Sequence, residues 1–358
     1  MEYRVTLFID ERQDFYRLSK VYTGMTELAR RGKIEFAFRP TKWQGDDNFA
    51  FATLLCHSVK SNQSLLIAFD FSDHSNLFQP RALQESDVYF KRDYYAPDLE
   101  SLREEERSKV LSFGLNFGCT TASSKRRVLC ALCAQCARVA CCSPRRFARN
   151  MPGCLRSVRM YLHMPTDTDF ELSPDVALDP VIVFQTRAWA PEEVTNNEEV
   201  VNEQRVSVVR GLRKAFGNRF VGGLVPTKFA KTHYPDAVTD RPTRRKAYIR
   251  TSKHALIGVY TRGLHHSLAF KLPEYLAASK CIVSEPLRNA LPYPLVASRN
   301  YLEFQTVDEC VTLCDRLLSD PKEAREMRHQ NHDYYRQHVR PAEHMLNCLE
   351  RAFAHISD

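Results

Sequence analysis

Apolar and polar positions along this chain switch between two periods, and the switches mark out two runs of alternating strands and helices. Tyr3 to Ile9 (YRVTLFI) reads as an opening strand that ends at Asp10 and Glu11. Leu18 to Arg31 then places Leu18, Tyr22, Met25, Leu28 and Ala29 on one helical face, and Ile34 to Phe38 alternates as a second strand. This is a βαβ beginning. Leu65 to Phe69 is a short apolar run closed by Asp70, Phe71, Ser72, Asp73 and His74. Asp87 to Lys91 is another, and Lys109 to Leu115 leads to Asn116. No glycine-rich fingerprint follows the first strand, which argues against a dinucleotide cofactor.

Polar and acidic residues gather between Met164 and Asp179, and the pattern then starts again. Pro180 to Thr186 (PVIVFQT) is a strand ending at Arg187, a helix runs from Glu198 to Phe216, and Arg219 to Leu224 is the next strand. Ala255 to Tyr260 (ALIGVY) is apolar and β-branched, as a strand buried on both faces should be. Thr261, Arg262, Gly263, His265, His266 and Ser267 make a polar connection. Leu268 to Ser279 has helical spacing, and Cys281 to Val283 resumes a buried strand. Ligands of open α/β sheets sit outside the carboxyl ends of the strands. A helix N-terminus there offers unpaired amides to a phosphate, and Gly263 and Ser267 stand where that offer is expected. Asn300 to Gln305 reads as a further strand, with helices over Asp308 to Leu318, Pro321 to His338 and Pro341 to Ile356.

The segment Lys271, Leu272, Pro273, Glu274, Tyr275, Leu276, Ala277, Ala278, Ser279, Lys280 resembles the carboxy-terminal half-domain of GT-B glycosyltransferases, where a K-L-x-E-Y-L-A string contacts the sugar nucleotide. Phe184 to Trp189 (FQTRAW) resembles the first strand and loop of the same half, and DVYFKRDY and VLSFGLNFGC resemble segments of a bacterial branch of these enzymes. The resemblance implies two Rossmann-like α/β domains facing each other across a cleft. An acceptor domain would occupy residues 1–165, with an insert at about 120–160. A donor domain would occupy residues 166–340, and residues 341–358 would return to the first domain. It also implies that Glu274 holds the ribose hydroxyls of a nucleotide-sugar donor. Ser279 stands where the family often has Gly, a change expected to matter only for the helix terminus.

The expected chemistry follows from sugar transfer. The diphosphate leaving group must be neutralised, for which Arg187, Lys271, Thr261, Gly263 and Ser267 supply charge, hydroxyls and amides. His265 touches phosphate or sugar and is preferred over His266 because it is nearer the strand end. A base for the acceptor hydroxyl, if the reaction inverts, would come from Asp73 or Asp70, with Asp10 as rival. Ordinary turn chemistry explains an Asp after a strand equally well. Asp167, Thr168 and Asp169 form a D-x-D, read as solvated linker, so no metal or other cofactor is expected.

Composition adds one feature. The 358 residues are 44% hydrophobic and 26% charged, ordinary for two soluble globular domains, and the formal charge is +8. Neither a signal peptide nor a spanning helix is expected, so the expected location is cytoplasmic, at most peripheral at the inner face of a membrane. Residues 125–159 carry Lys125, Arg126, Arg127, Arg138, Arg145, Arg146, Arg149, Arg156 and Arg159 with no acidic residue. Such a block meets phosphate, and an anionic membrane surface is preferred to nucleic acid, for which no recognition motif is seen; a solvated basic face is the competing explanation. Cys130, Cys133 and Cys136 in the same block read as a small-residue helix stripe rather than a metal site. The function these features imply is transfer of a sugar to a glycan, lipid-linked or glycoconjugate acceptor in bacterial surface polysaccharide assembly. The rivals are a sugar-nucleotide epimerase, a phosphorylase and a non-catalytic nucleotide- or nucleic-acid-binding protein.

Overall fold

The computed structural model of the chain describes residues 1–40, 50–194 and 201–357. It divides into two compact units, Met1–Asp167 with Ala290–Tyr293 and Gln337–Asp358, and Thr168–Asn289 with Pro294–Arg336. Each is an α/β layer structure around its own sheet.

The first unit runs β1 (Tyr3–Ile9), α1 (Ser19–Arg30), β2 (Ile34–Pro40), β3 (Phe51–Ser58), β4 (Ser64–Asp70), α2 (Pro80–Glu85), β5 (Val88–Lys91), α3 (Glu104–Arg107), β6 (Val110–Ser112), α4 (Ala122–Cys142) and α5 (Pro144–Leu162). The strand order is β2-β1-β3-β4-β5-β6. The sequence reading lacks β3, which pairs antiparallel with both β1 and β4 inside an otherwise parallel sheet. Its connection to β4, from Ser58 to Ser64, is too short for a crossover and can only turn the chain back. The run expected over Lys109 to Leu115 is a strand only at Val110–Ser112.

Val5, Leu7, Leu54, Ile67, Phe69 and Phe90 form the core of this unit with Val21, Tyr22 and Met25 of α1 and with Met345 and Leu349 of the last helix of the chain. Lys20 lies wholly inside that core. Its Nζ donates to the Leu115 carbonyl (2.6 Å) and to Nδ1 of His344, whose Nε2 donates to the Phe113 carbonyl (2.8 Å). Burial pushes the Lys20 amine down to about 7. Burial first, and the neighbouring amine second, push His344 well below its ordinary range.

The second unit comprises most of α6 (Asp167–Phe170), then β7 (Asp179–Thr186), α7 (Asn202–Phe216), β8 (Phe220–Leu224), α8 (Lys228–His233), α9 (Arg245–His254), β9 (Ala255–Tyr260), α10 (Lys271–Ala277), β10 (Cys281–Ser284), β11 (Leu302–Glu303), α11 (Val307–Ser319) and α12 (Pro321–Tyr334). After a π-helical turn over Tyr335–Val339, α13 (Pro341–Ser357) closes the chain. The sheet, ordered β11-β10-β9-β7-β8, is parallel throughout. The long helix expected from Glu198 is described from Asn202 onward, and Glu198 lies outside the described residues. The strand expected over Asn300 to Gln305 shrinks to Leu302–Glu303.

Candidate functional site

The carboxyl ends of β7, β9 and β10 bring together the expected donor residues, and the segment between β9 and α10 shows how. Gly258 is required because a Cβ there would lie 2.6 Å from the Tyr275 ring, which packs flat on the strand and seats α10. After Tyr260 the chain makes a closed turn. The Gly263 amide donates to the Ser267 carbonyl (2.9 Å), and the Ser267 amide donates to the Leu264 carbonyl (3.0 Å). A side chain at Gly263 would meet Ser267 Oγ at 2.3 Å. His265 and His266 both take left-handed backbone (φ 55° and 57°), a strain that non-glycine residues tolerate only where the surroundings over-determine it.

This corrects one expectation. The helix starts at Lys271, not at Leu268, so Gly263 and Ser267 are not at its N-terminus. Their amides close the turn instead of facing a ligand. Thr261 and Ser267 are buried, at 5% and 6% exposure.

Cations converge on the same strand ends. Arg187 follows β7, lies over the Trp189 ring at 4.2 Å, and pairs with Glu193. Arg262 follows β9 and pairs with Glu285 (3.4 Å), the buried residue after β10. Arg205, on α7, is 5% exposed and donates to the carbonyls of Arg187 and Arg262, both at 2.7 Å, so it ties the two loops together. Burial lowers its guanidinium to about 10. Lys271 is half-buried, with its amine 5.7 Å from the Tyr248 ring centre. Burial, and then the nearby Arg205, push that amine down to about 7, with Glu274 opposing them. Among the described residues, neither Arg205 nor Lys271 has a carboxylate partner.

Glu274 occupies the first turn of α10, 5% exposed. Arg245 of α9 grips it through both terminal nitrogens, one contact at 3.2 Å. A carboxylate has roughly four lone-pair sites, so this fork fixes its orientation and still leaves acceptor capacity for a diol. The last residues of the motif are structural. Ser279 holds the left-handed position (φ 50°) after the helix end, the position that favours glycine, and its Oγ donates to the Leu172 carbonyl (2.5 Å). Lys280 is buried and caps the carbonyls of Lys253 and Ala255.

In the first unit the candidate bases are already committed. Asp70 is fully buried, where it pairs with Lys91 (2.7 Å) and accepts from the Tyr89 hydroxyl (2.7 Å) and the Ser72 amide (2.8 Å). It is a core ion pair, with no access for an acceptor hydroxyl. Asp73 is bound by Arg17 (2.7 Å) and Arg92 (2.8 Å). Burial alone would raise its carboxyl, but Arg92 and then Arg17 hold it below the usual range. A carboxylate with so little proton affinity is a poor general base. The rival, Asp10, is gripped by Arg12 and Arg146. Beside it burial alone would raise Glu11, but hydrogen bonds from Arg146, Gln135 and Asn150 hold it down to about 2.

The basic, cysteine-rich block forms the α4 and α5 pair. Cys136 is half-buried, whereas Cys130 and Cys133 face solvent. The buried stripe is Val128, Leu132, Gln135 and Val139, because a strict three-residue step drifts around a 3.6-residue helix. Among the described residues, no group of His, Cys, Asp and Glu is arranged to hold a metal ion.

Sequence reasoning missed Arg205, Arg245 and Glu285, which reach the site from other elements. Residues 208–350, which contain most of this site, match the family model of glycosyl transferase-like proteins. No curated protein matches the chain significantly. Among solved structures, the chain is similar to an alpha-glucosyltransferase in complex with UDP and a 13-mer DNA (10% identity, 99% of this chain and 100% of that one, TM-score 0.43). It is similar also to a glycosyltransferase from Rickettsia africae (9% identity, 99% and 98%, TM-score 0.43) and to the C-terminal domain of a glycosyl transferase group 1 protein from Francisella tularensis (14% identity, 43% and 82%, TM-score 0.27). Likeness at these TM-scores carries nothing about activity.

Proposed function

We propose that the chain is a glycosyltransferase of the GT-B kind that takes a sugar from a nucleoside-diphosphate donor and transfers it to a glycan, lipid-linked or glycoconjugate acceptor. The reading is a hexosyl- or deoxyhexosyltransferase of bacterial surface polysaccharide assembly. One observation carries it. Two cations that have no carboxylate partner among the described residues, Arg205 just before the glycosyl transferase-like region 208–350 and Lys271 inside it, accompany a carboxylate held ready by Arg245.

Breaking the bond between sugar and diphosphate leaves negative charge on the departing phosphate, and preorganised cations stabilise that charge without reorganisation. Lys271 is suited to this role. Desolvated, and without a carboxylate partner among the described residues, its amine regains full protonation when an anion arrives. Arg205 holds the two loops from which Arg187 and Arg262 project. Glu274 accepts from the ribose hydroxyls with the lone pairs that Arg245 leaves open.

The acceptor side is proposed to work at an anionic membrane surface, the cytoplasmic leaflet. Helix α5 turns Arg145, Arg149, Arg156 and Arg159 outward together with Leu155 (61% exposed) and Met160 (49% exposed), a basic face edged with apolar residues suited to lying in a lipid headgroup layer. Among the described residues, no helix is long and apolar enough to cross a membrane.

A thermal-shift screen against nucleoside diphosphates and their sugars tests the donor site. A ligand present at about 100 times its Kd stabilises the fold by about 2.7 kcal/mol. The expected outcome is a rise in Tm for one nucleotide that Glu274→Ala removes and Arg205→Gln reduces. A rise that both variants keep places the donor elsewhere.

A further inference from the structure

The strongest unassigned feature is a concavity of about 460 Å3 between α1 and the start of α4, lined by Thr26, Arg30, Ala122, Ser123, Arg126 and Arg127. Two helices build it. Thr23 fixes their contact, its hydroxyl meeting Ser124 Oγ at 3.2 Å and the Cys119 carbonyl at 3.1 Å. Thr26 and Arg30 follow on the same face of α1, one and two turns further along.

Helix α4 opens with a capping box. The Ser124 amide donates to Thr121 Oγ1 (3.1 Å), and the Thr121 amide donates to Ser124 Oγ (2.8 Å). The cap leaves the amides of Ala122 and Ser123 as orphan donors at the positive end of a 21-residue helix. Thr26 makes this more than a helix end. It is 2% exposed, it lines the concavity, and its Oγ1 has no hydrogen-bond partner among the described residues. A buried hydroxyl without a partner is costly, and the concavity this one lines is also lined by Arg30, Arg126 and Arg127. Arg30 engages Glu27 through Nε (2.8 Å), and Arg127 lies over the Phe36 ring at 5.4 Å. Among the described residues, no acidic side chain lines the concavity.

We infer that this concavity is a second anion site, built for a phosphate group carried on a larger body. The Thr26 and Ser123 hydroxyls and the first amides of α4 donate to its oxygens, and Arg30, Arg126 and Arg127 balance its charge. The volume exceeds that of one small ion and suits a diphosphate or a phosphomonoester with part of its carrier. The shared chemistry has two sources, a lipid headgroup or a soluble phosphorylated molecule. The site lies wholly in the first unit, so it stands independently of the donor reading.

The test is calorimetric titration of the full chain with pyrophosphate. Arg205 and Lys271 also attract this ion, so two classes of site are expected in the wild type. In the R126Q/R127Q variant one class weakens by about tenfold or more, while the other persists, since hydrogen bonds to charged groups are the strong ones. Thr26→Val keeps the shape and all surface charge and weakens the same class; Ser123→Ala serves if Thr26→Val lowers Tm in phosphate-free buffer. Binding unchanged in R126Q/R127Q overturns the proposal. So does weakening in R126Q/R127Q with none in Thr26→Val and Ser123→Ala, since that leaves only diffuse attraction to surface arginines. Displacement of pyrophosphate from this class by phosphatidylcholine vesicles containing phosphatidic acid, and not by pure phosphatidylcholine, supports the site and identifies a headgroup. Retention against both vesicles supports it and identifies a soluble phosphate.

Discussion

The strand ends of the two units carry ionisable side chains in equivalent topological places, but their charge is balanced in opposite ways. In the first unit each carboxylate considered as a base is closed by cations, Asp70 by Lys91, Asp73 by Arg17 and Arg92, and Asp10 by Arg12 and Arg146. In the second unit Glu274 is closed by Arg245 and Glu285 by Arg262, but among the described residues Arg205 and Lys271 remain over. A balanced cluster holds a fold together. A cluster with cations left over is poised for an anion. Polar residues at strand ends are thus no guide to chemistry until their partners are counted.

The largest effect that separates the two kinds of cluster is on stability. Asp70→Asn leaves the Lys91 ammonium buried beside a neutral amide, and breaking a buried pair in this way costs about 3 to 5 kcal/mol. Urea melts should show that loss. If Asp70→Asn melts like the wild type while turnover collapses, Asp70 belongs to the chemistry, and the first unit is not the balanced one. Asp73→Asn, at a more exposed site, is expected to change stability much less.

Where the comparison was legible in the sequence, the signal was local. β9, the polar connection, α10 and β10 follow one another within thirty residues and the apolar periods mark each of them, so the segment was legible. Within it the resemblance of K-L-x-E-Y-L-A to the GT-B donor half singled out Lys271 and Glu274. Ser279 was singled out by the same resemblance, as the residue standing where the family often has Gly, and it holds the left-handed position that ends the helix. Arg205 and Arg245 were not legible. Each reaches the site from a separate helix, and nothing in the spacing of an amphipathic helix tells an arginine that braces a loop from one that meets water. Asp70 and Asp73 misled because an Asp at or after a strand end looks the same in sequence whether cations cover it, as Lys91 covers Asp70 and Arg17 and Arg92 cover Asp73, or not. β3 was passed over although Phe51 to Ser58 alternates in burial, because its antiparallel pairing broke the expected βαβ rhythm.

A smaller effect sharpens the second half of the comparison. The Lys271 amine stands at about 7 in the free protein, and a diphosphate beside it raises that value by favouring the charged form. Binding therefore takes up a proton as the pH rises through 7, and diphosphate affinity falls above that point, by at most about tenfold per pH unit until the bound-state value is reached. Calorimetry at pH 8 in buffers of different ionisation enthalpy should detect the uptake. Lys271→Arg, charged at every relevant pH, should bind with no such dependence. A dependence that persists in Lys271→Arg assigns the proton to another group and removes Lys271 from the diphosphate.

The smallest expected effect is that of a chelator. Diphosphates are often neutralised by a divalent cation held between carboxylates, and Asp167 and Asp169 are the pair with suitable spacing. Both lie within α6 and not in the solvated linker expected from the sequence, since Asp167 is only 8% exposed, and the Lys253 amine donates to the backbone carbonyl of Asp169 (2.9 Å). If Arg205 and Lys271 supply the neutralising charge, the nucleotide-induced rise in Tm survives EDTA unchanged and Asp169→Asn does not alter it. A rise that EDTA abolishes and Mg2+ or Mn2+ restores would show that the two leftover cations do not neutralise the diphosphate alone.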